Sequence, residues 1–202
     1  MRRAGHVALV SADEARRRSA RPRRKRLFFA LWPDGETRAR MARLARRLPR
    51  RRGRPVPPEN LHVTLAFIGP VDAQTARCLE AAAARVPVAP FDLTLDTIGG
   101  FRKARVVWLG ASRVPAALLR LVAALNEALG DCGHTPDPRP FTPHVTLFRD
   151  AEPTGEQGDI ARPVVWPVRD FALVESVTAP KGAVYRVLKR FPAPSGPPAA
   201  HA

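Results

Sequence analysis

The chain has little with which to build a metal site, a disulfide framework or a membrane anchor. Only two of its 202 residues are cysteines, Cys78 and Cys132, and neither has a second cysteine or a histidine at the short spacing of a zinc site. Two isolated cysteines do not suggest a disulfide framework either, so the expectation is reduced thiols in a cytoplasmic protein. No apolar run approaches the roughly 20 residues needed to cross a bilayer. The stretch HVALV at 6–10 is shorter than the core of a secretory signal, and the Arg-rich start lacks the amphipathic period of an organelle transit segment.

Acidic residues are also scarce. There are 34 Lys and Arg against 18 Asp and Glu, a formal charge of +16. The excess is local: residues 1–26 hold ten cations and two acids, residues 38–54 hold nine arginines and no acid, and the remainder sums to −1. The body is therefore near neutral with two basic patches. Arginine outnumbers lysine 30 to 4 in a chain rich in Ala and Pro, a bias that codon composition can produce on solvated surface. A basic approach to a site for a polyanion is the functional reading, and it applies best to residues 38–54, which lead toward the first motif described below.

The apolar content of 45% is enough for one ordinary domain or two small lobes sharing a core. Residues 1–25 lack hydrophobic periodicity and are expected to be a disordered basic arm, with a folded domain over 26–191 and a disordered tail over 192–202. LFFALW at 27–32 has the pattern of a buried strand. Pro33 and Asp34 open a helix with Met41, Leu44, Ala45 and Leu48 inward. Asp72 is placed to cap a second helix through Val86, and a third carries Leu118, Leu121, Val122, Leu125 and Leu129 on one face, up to Gly130. FDLTLDTIG and RVVWLG read as strands. VVWPVRDFALVES and AVYRVLKRF read as two more, with a turn at 180–182.

One tetrapeptide, HVTL, occurs twice, at 62–65 and 144–147, each time after a proline-rich loop. The order strand, helix, Pro-rich loop, HVTL strand likewise appears twice, from Leu27 and from Arg105, as an internal duplication would produce. In a strand, alternation puts His62 and Thr64 on one face and Val63 and Leu65 on the other, and it does the same for His144 and Thr146 against Val145 and Leu147. A lone strand histidine is usually a satisfied polar group, but a structural role gives no reason for the same four residues to follow the same kind of loop twice. Two imidazoles facing one groove can act as acid and base near neutral pH, with the two hydroxyls holding an anion between them. Metal binding by the pair is not favoured, because no third histidine or carboxylate stands at ligand spacing. Arg149, just beyond the second motif, fits a clamp on that anion. Phe28, Trp32, Trp108 and Tyr185 are candidates to stack on a base, with one or two expected to reach the groove.

These motifs resemble the two-histidine (2H) phosphoesterase superfamily and, more narrowly, the bacterial RNA 2′,3′-cyclic phosphodiesterases, also called 2′-5′ RNA ligases. The resemblance rests on RLFFAL at 26–31, NLHVTLAFIG at 60–69, RVVWLG at 105–110, PFTPHVTLFRD at 140–150 and YRVLKRF at 185–191. It implies an α+β fold of two pseudo-symmetric antiparallel sheets with outer helices around a central cleft. It also implies hydrolysis of RNA or nucleotide 2′,3′-cyclic phosphates to 2′-phosphomonoesters without metal or cofactor. In that reading His62 protonates the departing 3′ oxygen, His144 activates water, and Thr64 and Thr146 bind the phosphate oxygens. The expected partners are RNA ends or cyclic nucleotides, with no membrane and a monomeric protein. Reversible 2′-5′ ligation and non-catalytic RNA binding are the alternatives.

Overall fold

The structure, a computed structural model, describes residues 24–48, 53–152, 158–180 and 182–194. The expected basic arm lies outside them as far as residue 23, as do Arg50, Arg51 and Arg52 of the second basic run and the tail from residue 195.

Nine strands and three helices follow in the order β1 Lys25–Leu31, α1 Gly35–Arg47, β2 Arg54–Pro55, β3 Val63–Val71, α2 Ala73–Ala83, β4 Phe91–Phe101, β5 Val106–Gly110, α3 Ala116–Gly130, β6 His144–Arg149, β7 Gly158–Val168, β8 Asp170–Ala179 and β9 Gly182–Pro192. Two helices start where the sequence caps them. The Asp34 carboxylate accepts the Thr37 amide at 2.7 Å and the Asp72 carboxylate accepts that of Thr75 at 2.8 Å, each satisfying a donor that the first helical turn leaves open.

Among the described residues every strand pairing is antiparallel, in the spatial order β7-β4-β5-β6-β3-β1-β8-β9, with β2 added to β6. The fold is α+β, and its two expected sheets are joined. Four strands lie on each side of the β6–β3 contact, and that contact is a single residue pair, Val63 with Val145. The HVTL strands are thus the innermost strand of each half. β2 strengthens the joint, since Arg54 pairs with Arg149, Pro55 with Phe148, and the Val56 amide donates to the Leu147 carbonyl at 2.8 Å.

Alternation along β1 separates two apolar layers. Leu27, Phe29 and Leu31 join the main core, which α2 and α3 cover with Leu79, Ala82, Leu118, Leu121, Leu125 and Leu129. Phe28, Ala30 and Trp32 point the other way, into a small cluster with Ala172 and Val174 beside Tyr185. Burying a side chain of this size contributes about 1.5–3 kcal/mol, so β1 is anchored from both sides. The second cluster forms the floor on which His62 sits.

Two expectations need correction. VVWPVRDFALVES is not one strand: it breaks at Arg169, so that β7 pairs with β4 in one half and β8 with β1 in the other. The run is apolar on both sides of the break, and Pro167 and Asp170 flank it, a short local signal that reading the run as one strand passes over. The crossing is held from a distance, by the Ala193 amide donating to the Arg169 carbonyl at 2.8 Å. The cysteines are not free thiols. Cys78 in α2 and Cys132 just past α3 form a disulfide, with Cα atoms 5.8 Å apart. Packing α2 against α3 brings together two residues 54 positions apart, a proximity that their spacing does not encode.

Candidate functional site

His62 closes the loop before β3, and His144 opens β6. Val63 and Val145, the bridge between the strands, have no exposed surface, and Leu65 and Leu147 beside them are buried. Counting outward from that antiparallel pair sets His62 across from Thr146 and Thr64 across from His144. All four half-buried polar residues lie on the face opposite the valines. The two histidines occupy diagonal positions, which lie roughly 7–8 Å apart with the Cβ atoms somewhat closer. That separation leaves room for one phosphoryl group between the imidazoles.

The two rings are oriented by the same device. The Nδ1–H of His62 donates to the Asn60 carbonyl at 2.6 Å, and the Nδ1–H of His144 donates to the Thr142 carbonyl at 2.7 Å, each acceptor lying two residues upstream. A carbonyl can only accept, so it keeps the proton on Nδ1 and leaves Nε2 as the unprotonated nitrogen of each neutral ring. The Asn60 loop is itself tied to β9, because the Asn60 side-chain amide donates to the Ala183 carbonyl at 2.9 Å.

Aromatic rings fix both imidazoles. Trp32 stacks on His62 at 5.4 Å and 15°, Phe28 lies 5.0 Å away, and Tyr185 meets it edge-on at 5.2 Å. On the other side Phe101 meets His144 edge-on at 5.0 Å, and Trp108 is 6.3 Å away. Three of the four residues expected to stack on a base, Phe28, Trp32 and Trp108, are thus buried against histidines, while Tyr185 is half exposed. Phe101 was missing from the sequence-based candidates. Its only signal is its place after two glycines at the end of β4. The ring of Trp108 lies between Gly99 and Gly110, and a Cβ at Gly110 would come within 2.6 Å of it.

Burial is the main reason that both histidines hold their protons weakly. His62 is lowered to about 4, first by desolvation, against which its bond to Asn60 works, and then by the charges of Arg149 and His144. His144 is lowered in the same direction by desolvation and by Arg149, against its bond to Thr142. Arg149, exposed at the end of β6, is therefore close enough for its charge to act on both rings. The neighbouring acid, Asp150, is engaged by Arg54, whose Nε donates to it at 2.8 Å. Asp150 itself adopts a left-handed backbone at φ 52°, which turns the chain sharply after Arg149.

A cavity of about 720 Å³ opens beside His62, with Thr64, Arg149, Asn60, Phe28 and Tyr185 in its wall. His144 and Thr146 are not in that wall; they adjoin it across the Val63–Val145 bridge. Among the described residues no Asp or Glu lines the cavity. Among the described residues no three His, Cys, Asp or Glu side chains gather as a metal site requires, and no helix is long and apolar enough to cross a membrane. An oriented imidazole, a hydroxyl and Arg149 in the cavity wall, with a second imidazole and hydroxyl adjoining on the same sheet face, suit a phosphate ester.

Comparison with known proteins points the same way. Residues 21–178 match the family model of the 2′-5′ RNA ligase superfamily. An RNA 2′,3′-cyclic phosphodiesterase of Escherichia coli is 38% identical over 171 residues, 83% of this chain and 96% of that protein. One from Archaeoglobus fulgidus is 32% identical over 176 residues, 82% of this chain and 99% of that protein. Among solved structures, Escherichia coli LigT complexed with 3′-AMP superposes with a TM-score of 0.77 at 36% identity, covering 85% of this chain and 99% of that one.

Proposed function

The chain belongs to the 2′-5′ RNA ligase superfamily, and on that premise we propose that it hydrolyses 2′,3′-cyclic phosphates at RNA ends or on nucleotides. The observation that carries the reading is the matched pair of histidines. Each has Nδ1 committed to a carbonyl two residues upstream, which leaves Nε2 for proton transfer.

In this mechanism His144 takes a proton from water as the water oxygen bonds to phosphorus. The phosphorus–O3′ bond breaks in line, and His62 gives its proton to O3′, leaving a 2′-phosphomonoester and a free 3′ hydroxyl. Base and acid must act on opposite sides of phosphorus, and the diagonal placement of His144 and His62 on adjacent strands supports that division of roles. Thr64 and Thr146 donate to the non-bridging oxygens, and Arg149 offsets the charge that builds on them. No step calls on a metal.

The lowered pKa of His62 bears on how the acid is loaded. An empty site disfavours imidazolium at neutral pH, through burial and the charge of Arg149. A cyclic phosphate brings one negative charge to the same space, which raises the proton affinity of both rings. Substrate binding and protonation of His62 are thus coupled. The protein would work as a monomer in the cytoplasm, although a Cys78–Cys132 bond is unusual for a reducing compartment.

The test is product analysis with the four 2′,3′-cyclic mononucleotides in excess EDTA. The expected products are 2′-monophosphates. Activity that vanishes with EDTA and returns with a divalent metal would remove the two-histidine mechanism, and exclusive 3′-monophosphates would reverse the assignment of the leaving oxygen.

A further inference from the structure

The two HVTL motifs carry the same groups, yet the proposed mechanism gives them opposite tasks. Each histidine bonds through Nδ1 to a carbonyl two residues upstream, and each has a threonine two residues on. Neither motif by itself marks its ring as proton donor or acceptor. The difference lies in the strands beside them. On β1, Ala30 pairs with Thr64 and Leu31 with Val63, so Trp32 stands one step further on, across from His62. On β5, Trp108 pairs with Thr146 and Gly110 with His144. The position that carries an indole opposite the first histidine carries no side chain opposite the second.

The ring contacts differ accordingly. Trp32 is 8% exposed and lies almost parallel to His62, with ring centres 5.4 Å apart and planes 15° from parallel. Phe28 and Tyr185 enclose the same imidazole. The rings against His144 are turned, Phe101 by 86° and Trp108 by 53°. The face of an aromatic ring is electronegative, and among side chains indole attracts a cation best. A stacked indole therefore favours imidazolium over neutral imidazole.

Other groups around His62 do not supply that attraction. From β6, Arg149 and His144 both oppose its protonation. Arg26 of β1 and Arg54 of β2 share the cavity wall, and Arg38 of α1 donates to the Pro33 carbonyl directly after Trp32. Tyr185 of β9 brings a phenol, and Val174, Ser176 and Val187 on the same face of β8 and β9 carry no charge. Of the nearby acids, Asp34 caps α1, and Glu59 is exposed and outside the wall. Among the described residues, the Asn60 carbonyl and the ring faces are what offsets a positive charge on His62.

We propose that the indole of Trp32 stabilises the imidazolium of His62 and so assigns the donor role to that histidine, leaving His144 as the acceptor. Trp32 is a positioning residue that acts through His62, since it is not in the cavity wall. This assignment rests on the proposed hydrolysis for its kinetic test, whereas the effect on the ring can be read without turnover.

The experiment compares the wild type with Trp32→Phe and Trp32→Leu, which keep an apolar side chain while weakening or removing the ring face. The two imidazoles are titrated by NMR, without ligand and with sulfate, and His62→Ala assigns the signals. Trp32→Leu should move the His62 titration down by roughly one pH unit, the size expected of a desolvated cation–π contact. Trp32→Phe should move it less, and the His144 titration should stay in place. In the kinetics of Trp32→Leu, the alkaline limb of kcat should shift down by a similar amount with little change in KM. An unchanged or upward His62 titration would show that the indole only fills space or excludes water, and would overturn the proposal. So would a loss of kcat that is the same at every pH. If the wild type hydrolyses nothing, the proposed function fails, and the NMR titration still decides whether Trp32 holds the imidazolium.

Discussion

Val63 of β3 pairs with Val145 of β6, and this one antiparallel bridge is what sets the two HVTL motifs side by side. Both valines are fully buried, so the link between the halves is apolar packing as much as hydrogen bonding. Val145→Ala should cost about 2 kcal/mol in stability through lost methyl burial and the cavity left behind. It should also cut kcat/KM on cyclic nucleotides by tenfold or more, because the motif strands set the distance between acid and base. Leu125→Ala, on α3 away from the joint, serves as the control. It should lower denaturation midpoints by at least as much while leaving kcat/KM close to wild type. Equal activity of both variants would show that the bridge does not position the histidines.

Replacing either His62 or His144 with Ala should lower kcat by about 10²–10⁴-fold, the usual contribution of a positioned acid or base. Circular dichroism should change little and melting temperatures should fall modestly, since each ring packs against aromatic side chains without bearing on the backbone pairing. The double variant should be scarcely slower than the worse single one, because the pair acts as a unit. Additive losses would argue for independent roles.

The pH dependence follows from the directions of the two shifts. The acid must carry a proton and the base must not, and kcat/KM reports the free protein. With His62 near 4 and His144 below its ordinary 6.5, the optimum of kcat/KM should lie on the acid side of 6.5, and activity should fall as the required proton is lost at higher pH. The two limbs belong to the pair rather than to either ring. Arg149→Ala removes a positive charge that disfavours both imidazolium forms, so the alkaline limb should move to higher pH while the maximum rate drops. Because bound phosphate favours the protonated rings, the alkaline limb of kcat should also lie above that of kcat/KM. A wild-type optimum of kcat/KM above pH 7.5 would contradict these shifts.

The Cys78–Cys132 bond closes a loop of 54 residues between two helices on the side of the sheet away from the histidines. Chain entropy alone gives it about 4 kcal/mol of stabilisation. A reducing agent, or Cys78→Ser, should therefore lower Tm by several degrees with kcat unchanged when assayed well below the melting range. Identical melting with and without reductant would mean that the thiols are not bonded in solution.

Gly110→Ala tests the packing behind His144. The new methyl group would meet the Trp108 ring at 2.6 Å, and that ring is held on its other side by Gly99. Relief requires the indole to move, and Trp108 and Phe101 together fix His144. The expected outcome is a loss of about 1–3 kcal/mol in stability and a fall in kcat with little change in KM. Indole fluorescence should report the displacement.

Much of this protein could be read from local pattern. The strand-helix alternation, the Asp34 and Asp72 caps, and the inward faces of α2 and α3 follow from periodicity and short-range hydrogen bonding. The doubled HVTL did more, because a repeat in sequence implies a repeat in structure, and with period-two alternation it put His62, Thr64, His144 and Thr146 on comparable faces. What local pattern could not supply was distance. The crossing at Arg169, the Cys78–Cys132 bond and the placement of Phe101 against His144 each depend on which elements become neighbours after the chain has crossed between halves. Sequence by itself determined the residues proposed to carry the chemistry and the faces they occupy, since both depend on neighbours a few positions away. Tertiary structure alone decided that the two faces meet at Val63 and Val145 and that burial and Arg149 weaken the protons on both imidazoles, because burial and electric fields are set by atoms far apart in the chain.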